Sequence, residues 1–80
     1  MGRGLHNWTF VDVKRFIGEY SFRLSHVEGS HYFYVGSYEG IVHQVCIPFH
    51  GSKAIHPKII KAIIRQSGIP QSKWVEDQNN

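Results

Sequence analysis

Three strand-like runs separated by very short connections constrain the fold of this chain more than any other feature. The runs span Ser21–Val27, His31–Val35 and Ile41–Ile47; the first alternates with a period of two, and the second is rich in aromatic and β-branched residues. Glu28–Ser30 and Gly36–Gly40 connect them, and connections this short join neighbouring strands as hairpins. The segment therefore predicts a three-stranded antiparallel meander, which ends at the proline after the third run because proline cannot donate to a strand ladder.

A helix is predicted on the N-terminal side of this meander. Thr9, followed three residues later by Asp12, resembles a capping box that opens a helix running through about Glu19. Apolar residues recur behind the cap at steps of three and four, which gives one apolar stripe: Phe10, Val13, Phe16, Ile17 and Tyr20. Trp8, directly before the cap, is expected to pack against the first turn as a hydrophobic staple.

A second helix is predicted over Pro57–Ser67, since proline suits the first helical position and Gly68 is a typical stop. Its apolar face is predicted to consist of four isoleucines: Ile59, Ile60, Ile63 and Ile64. A last turn over Gln71–Asp77 is expected to be anchored by Trp74. The predicted fold class is therefore α+β in the order α-β-β-β-α, with two helices on one face of a three-stranded antiparallel sheet.

The alternation of side chains assigns faces to the strands only in part. On the first strand one face is predicted to carry three residues: Phe22, Leu24 and His26. On the second, Tyr32 and Tyr34 oppose His31, Phe33 and Val35, and both sets are apolar enough to cover a core. If Phe33 and Val35 point inward, His31 lies at the edge of the helix-covered face and the tyrosines are exposed. The pattern leaves this choice open.

The 80 residues predict a single domain over 1–80, with an ordered core of about 8–77 and flexible ends at 1–7 and 78–80. No apolar run approaches the roughly 18 residues of a membrane span, and no signal-like stretch opens the chain, so the expected location is the cytoplasm. Cys46 is the single cysteine, which excludes an internal disulfide and a thiolate zinc cluster. A net charge of +3 favours a polyanion or an acidic protein as partner.

Gly29-Ser30-His31 is the candidate functional site, because it places an imidazole at the start of a strand just after a glycine. Glycine allows positive φ and the close approach of a ligand, and an imidazole transfers protons near neutral pH. The alternative is a turn followed by a half-exposed strand histidine, and the tripeptide alone favours that alternative. Neither a histidine pair spaced for a metal nor a nucleophile elbow nor a phosphate loop is present in the sequence.

Three cations recur on the second helix away from the isoleucines, and we call them the basic ridge: Lys58, Lys61 and Arg65. Lys53 and His50 precede it in the connecting loop, and residues 40–75 contain no acid to pair with any of them. A ridge of this kind is either a solvated helix face or a contact for phosphates or an acidic partner. The sequence alone does not choose between the two.

The order of these elements and three local motifs together resemble the HicA toxins, small bacterial RNA-cleaving proteins with a fold similar to double-stranded-RNA-binding domains. Gly29-Ser30-His31 enters the second strand, Pro48-Phe49-His50 closes the third, and Gln66-Ser67-Gly68-Ile69 ends the second helix. The match covers about residues 9–77. By this resemblance the chain is the toxin of a type II toxin–antitoxin system, a metal-independent mRNA interferase inhibited by a cognate HicB-type antitoxin.

The resemblance also implies roles for individual residues. His31 corresponds to the catalytic histidine and His50 to the histidine of the Pro-x-His element. We expect His31 to act as general base or acid on RNA, whose 2′-hydroxyl is its own nucleophile, without a cofactor. The other predicted site residues are expected to contact the RNA. Ser30 or a backbone amide near Gly29 is expected at the phosphate, and His50, Lys53 and the basic ridge along the RNA backbone.

Two positions depart from the family pattern. Glu28 precedes the glycine where the family commonly has a basic residue, and Ser21 replaces the usual glycine at the end of the first helix. Glu28 is expected either to repel phosphate or to hydrogen-bond to His31. Two other functions remain open for this sequence: a non-catalytic RNA-binding module of the same fold, and a protein-interaction domain whose basic ridge receives an acidic partner.

Overall fold

The computed structural model describes residues 4–77, and within them lie three helices and three strands. Their order is α1 (Phe10–Gly18), β1 (Arg23–Glu28), β2 (His31–Tyr38), β3 (Ile41–Pro48), α2 (Pro57–Ser67) and α3 (Gln71–Asp77). The strands form one antiparallel sheet in the order β1-β2-β3. This confirms the predicted α+β fold, and the predicted last turn is the short helix α3.

The helix boundaries follow from the predicted caps. In α1, the Asp12 amide donates to Thr9 Oγ1 and the Thr9 amide donates to Asp12 Oδ2, over 3.3 and 2.9 Å, which is a complete capping box. In α2, Gly68 has a φ of 76° and closes the helix in the left-handed conformation. His56 Nδ1 accepts from the amide of Lys58 at the start of α2, a cap that the sequence did not suggest.

Both hairpins turn through two residues. Gly29, with a φ of 60°, occupies the first central position between β1 and β2, as a type II′ turn requires. Glu39 and Gly40, with φ values of 51° and 82°, connect β2 to β3 as a type I′ turn does. The predicted loop Gly36–Gly40 is therefore wrong, because β2 continues through Tyr38. Gly36 does not interrupt the strand; it makes room for the ring of Phe22, which packs against it.

A β-bulge in β1 overturns the predicted faces of that strand. The register with β2 shifts between Leu24, which pairs with Tyr34, and His26, which pairs with Phe33. The extra residue, Ser25, reverses the alternation, so His26 faces the opposite side of the sheet from Leu24. The expectation that both share a face with Phe22 is wrong for His26.

The helices cover one face of the sheet, and the buried core lies beneath them. Tyr32 and Tyr34 point towards this core; the Tyr32 ring lies 4.9 Å from that of Phe10, and Tyr34 is buried. His31 and Phe33 therefore lie on the opposite face, which we call the open face. This decides the question that the pattern left open and places the two tyrosines, not Phe33, against the helices.

Several core residues were only partly expected. Trp8 is buried and its ring lies 6.0 Å from that of Phe16 and 5.4 Å from that of Trp74, so it packs more deeply than a staple. Leu5 is also buried, and Gly4 accepts from Trp8 Nε1. The predicted flexible ends fall partly on residues 1–3 and 78–80, which lie outside the described residues. The prediction that Ile59 belongs to the buried apolar face of α2 is wrong, because this residue is 42% exposed.

Candidate active site

His31 is the first residue of β2, at the end of the sheet where the β1–β2 hairpin turns, and it is exposed on the open face. It pairs with Glu28 on β1 and with Pro48 on β3, so it occupies the central position of a three-residue row. A Cβ placed on the neighbouring Gly29 meets nothing within 4 Å, which shows that the approach to this turn is unobstructed. The imidazole is therefore accessible to a ligand.

The segment after β3 is held against the same hairpin. The amide of Phe49 donates to the carbonyl of Ser30 over 2.7 Å, and the Phe49 ring lies 5.0 Å from that of Phe10 and 5.7 Å from that of Tyr32. These contacts bring the Pro48-Phe49-His50 segment to the end of the sheet where His31 lies. His50 and Lys53 are exposed in the connection to α2, and their backbones are joined by a turn hydrogen bond of 3.2 Å.

The open face carries a second imidazole and a carboxylate beside His31. The His26 ring stacks on that of Phe33, with centroids 4.4 Å apart and planes within 4° of parallel. Glu28 Oε2 lies 3.6 Å from His26 Nε2, so the structure pairs this carboxylate with His26 and not with His31, the partner in one of the two alternatives that the sequence left open. Their spacing of two residues on one strand places both on one face, and this spacing is the signal in the sequence that indicates the pair.

Cys46 lies half-buried on the open face, where it pairs with Phe33. Burial raises the pKa of its thiol, and the charge of Glu28 raises it further. A cysteine nucleophile needs the opposite environment, one that stabilises the thiolate. The burial and charge around Cys46 therefore fit a packed strand residue and not a nucleophile.

The basic ridge does not lie on the open face. α2 packs on the helix-covered face through Ile60, Ile63 and Ile64, and the three cations are exposed on its outer side. The structure thus groups His31, Ser30 and the Pro48-Phe49-His50 segment at one end of the sheet, whereas the basic ridge lies on the solvent side of α2.

A groove of about 390 Å³ lies between α1 and the β1–β2 edge on the helix-covered side. Aromatic side chains that include Phe22, Tyr32 and Tyr34 line it, together with Lys14 and Arg23. His31 is not among its lining residues, so the groove is separate from the candidate site.

Among residues 4–77, no cluster of three or more histidine, cysteine, aspartate or glutamate side chains is arranged to hold a metal ion. None of the helices in that part of the chain is both long enough and apolar enough to cross a membrane.

Comparison with protein families identifies a family to which most of this chain is similar. A family model described as the HicA toxin of bacterial toxin–antitoxin systems matches residues 11–69, which is more than half of the chain. It includes the candidate histidine, both hairpins and the whole of α2. Comparisons with curated proteins and with solved structures find no match.

Proposed function

This chain belongs to the HicA toxin family of bacterial toxin–antitoxin systems, and from that premise we propose that it is a metal-independent mRNA interferase with His31 as a catalytic residue. Membership of the family gives it the role of a toxin with a cognate antitoxin. The observation that supports the proposed activity most directly is the position of His31, exposed on the open face beside an unobstructed glycine turn.

The reaction needs little from the protein beyond positioning and proton transfer. The RNA 2′-oxygen attacks the adjacent phosphorus while the bond from phosphorus to the 5′-oxygen breaks, leaving a 2′,3′-cyclic phosphate and a 5′-hydroxyl. One proton leaves the 2′-hydroxyl and another is delivered to the 5′-oxygen. A histidine serves in either transfer, and such a group contributes roughly 10²- to 10⁴-fold to the rate.

The RNA contacts are proposed at two places. Ser30, His50 and Lys53 lie at or close to the His31 end of the sheet and are proposed to contact the phosphates next to the cleaved bond. The basic ridge lies on α2, on the helix-covered side of the sheet, and is proposed to bind phosphates further along the same RNA strand. The bound RNA strand would then pass around the edge of the β-sheet.

The proposed partners follow from this activity. We propose mRNA as substrate, a HicB-type protein as the cognate antitoxin, and the cytoplasm, where mRNA is found, as the place of action. A protein of net charge +3 attracts the RNA backbone over long range, which supports the first of these proposals.

The test is RNA cleavage in EDTA by the wild-type protein and by His31→Ala. Wild-type cleavage should persist in EDTA, and the variant should lose about 10²-fold or more of the rate. His6→Ala is the matched control, because His6 is exposed in the segment before α1. This variant should cleave RNA at the wild-type rate. Expression in cells should be toxic, with relief by the product of the adjacent gene.

Each contrary outcome has a defined meaning. Unchanged cleavage by His31→Ala removes His31 from the mechanism, and loss of wild-type cleavage in EDTA refutes metal independence. RNA binding that is steeply salt-dependent, without cleavage, selects the non-catalytic RNA-binding module instead.

A further inference from the structure

The open face holds a carboxylate that the single-histidine mechanism does not use. We propose that Glu28 is the second proton-transfer group of the reaction, acting opposite His31, and that His26 is the residue that positions it. This inference rests on the proposed ribonuclease function and assigns the half of the acid–base chemistry that one imidazole leaves unassigned.

Glu28 and His31 are cross-strand neighbours. They form the last pair of β1 and β2 before the Gly29–Ser30 turn. Residues directly opposite each other in an antiparallel pair share a face and have Cβ atoms about 4.5–5.5 Å apart. Both side chains are exposed, and the side chain of Glu28 is 71% accessible. A phosphodiester approaching the open face therefore meets a carboxylate and an imidazole together.

The carboxylate is directed over the sheet by His26. Glu28 Oε2 lies 3.6 Å from His26 Nε2, and the His26 ring is itself restrained on two further sides. Its face stacks on Phe33 at 4.4 Å, and its Nδ1 lies 3.2 Å from Ser25 Oγ. The bulge at Ser25 is what turns His26 to this face, so a local irregularity of β1 creates the contact.

The charge of Glu28 acts across the open face and not only at its edge. His26 on β1 and His31 on β2 share the open face with this carboxylate, and on β3 its charge helps to raise the pKa of Cys46. A carboxylate pointing away into solvent at the end of β1 would not act on a half-buried thiol on β3.

The two proton transfers of the cleavage reaction divide between Glu28 and His31, and no further reactant is needed. The Glu28 carboxylate takes the proton from the 2′-hydroxyl as the bond between the 2′-oxygen and phosphorus forms. Protonated His31 gives its proton to the 5′-oxygen as the bond between phosphorus and that oxygen breaks. The products are the cyclic phosphate and a 5′-hydroxyl, and exchange with water restores both groups. A carboxylate and an imidazole differ in the pH at which they titrate, which suits one to the base and the other to the acid.

A competing account treats Glu28 as a negative charge that only repels RNA. The two accounts make opposite predictions for Glu28→Gln. If Glu28 only repels phosphate, the variant binds RNA more tightly, so KM falls and kcat is unchanged. If Glu28 accepts a proton, kcat falls about 10²- to 10⁴-fold while KM stays the same or falls.

The experiment measures kcat, KM and their pH dependence on a short RNA in EDTA. For the wild type we expect a bell-shaped profile of kcat/KM, with one limb from each group. Glu28→Gln should lose the acid limb, and Glu28→Asp should recover part of kcat. Glu39→Gln is the matched control, because it removes the same charge from the turn at the far end of β2 and should leave the kinetics unchanged.

Substitution of the positioning residue gives an independent test. His26→Gln should lower kcat by up to about 10²-fold through misplacement of the carboxylate, and both limbs of the profile should remain. Circular dichroism should show the Glu28 and His26 variants folded, since neither side chain is buried.

The possible outcomes separate the two proposals. If His31→Ala is inactive and Glu28→Gln keeps its kcat, the role of Glu28 is refuted and the ribonuclease assignment stands. If the wild type does not cleave RNA, or His31→Ala cleaves normally, both proposals are refuted.

Discussion

Replacement of Gly36 by alanine tests the packing that holds β2 in place. A Cβ at this position would lie 2.5 and 2.6 Å from Cγ and Cδ1 of Phe22 and 2.9 Å from its Cα. Ordinary van der Waals contact begins at 3.4 Å, so the ring would have to move by about 0.9 Å. Phe22 is buried, with 4% of its surface exposed, and the contact with its Cα involves backbone that rotation of the ring cannot relieve.

We expect Gly36→Ala to destabilise the protein by about 2 kcal/mol, within the range of about 1–3 kcal/mol for overpacked cores. The matched control is Gly18→Ala at the end of α1, where a Cβ meets nothing within 4 Å. That substitution should stabilise the helix by about 0.5 kcal/mol, because alanine has the higher helix propensity. The two glycines therefore predict opposite signs for the same chemical change.

The assay is equilibrium urea unfolding, with both substitutions made in the His31→Ala background so that expression is not limited by toxicity. In thermal unfolding of the same proteins, a loss of 2 kcal/mol lowers the melting temperature of a domain this small by roughly 8–16 °C. Gly36→Ala within about 0.5 kcal/mol of its parent would refute the close approach of Phe22, and would favour the loop that the sequence alone suggested.

Three further predictions concern other regions of the chain. Ser21 has a φ of 68°, so Ser21→Gly should stabilise the protein by about 1 kcal/mol, measured by urea unfolding; a loss of stability would contradict the strain argument. The raised pKa of Cys46 leaves less thiolate at pH 8, so iodoacetamide should alkylate it more slowly than a free thiol, and Glu28→Gln should speed the reaction; equal rates in the two proteins would contradict the proximity of that carboxylate. Replacing all three cations of the basic ridge by glutamine should reduce the slope of log affinity for RNA against log salt concentration by about two. An unchanged slope would show that the ridge is only solvated.

The helices could be predicted almost residue by residue because their signals are local. The Thr9–Asp12 capping box and the Pro57 and Gly68 boundaries depend on residues within one turn of each helix end. The apolar period then identifies the buried side of each helix. Ile59 is the exception, since it lies at the margin of its apolar stripe and the packing leaves it exposed.

The strands could be predicted only in existence and order. The bulge at Ser25 adds one residue to β1, and alternation in the sequence cannot reveal it because both registers keep the same residue types. The length of β2 was underestimated because a glycine usually signals a turn, whereas Gly36 is needed for contact with Phe22, a residue 14 positions earlier.

The candidate site was predicted in part for the same reason. His31 and its turn are adjacent in the chain, and so they were recognised from the sequence. The placement of His26 on the open face and its stacking on Phe33 depend on the bulge and on the register between strands, which the sequence does not state.

The sequence by itself determined the kinds of element, their order and the position of an imidazole at the start of β2, because periodicity, caps and turn residues act over a few positions. Only the tertiary structure decided which side of the sheet stays open. The helices bury Tyr32 and Tyr34, since their removal from water is favourable, and the opposite face with His31, Glu28 and His26 is thereby left to solvent. That choice depends on contacts between distant segments and brings the three side chains together on one surface.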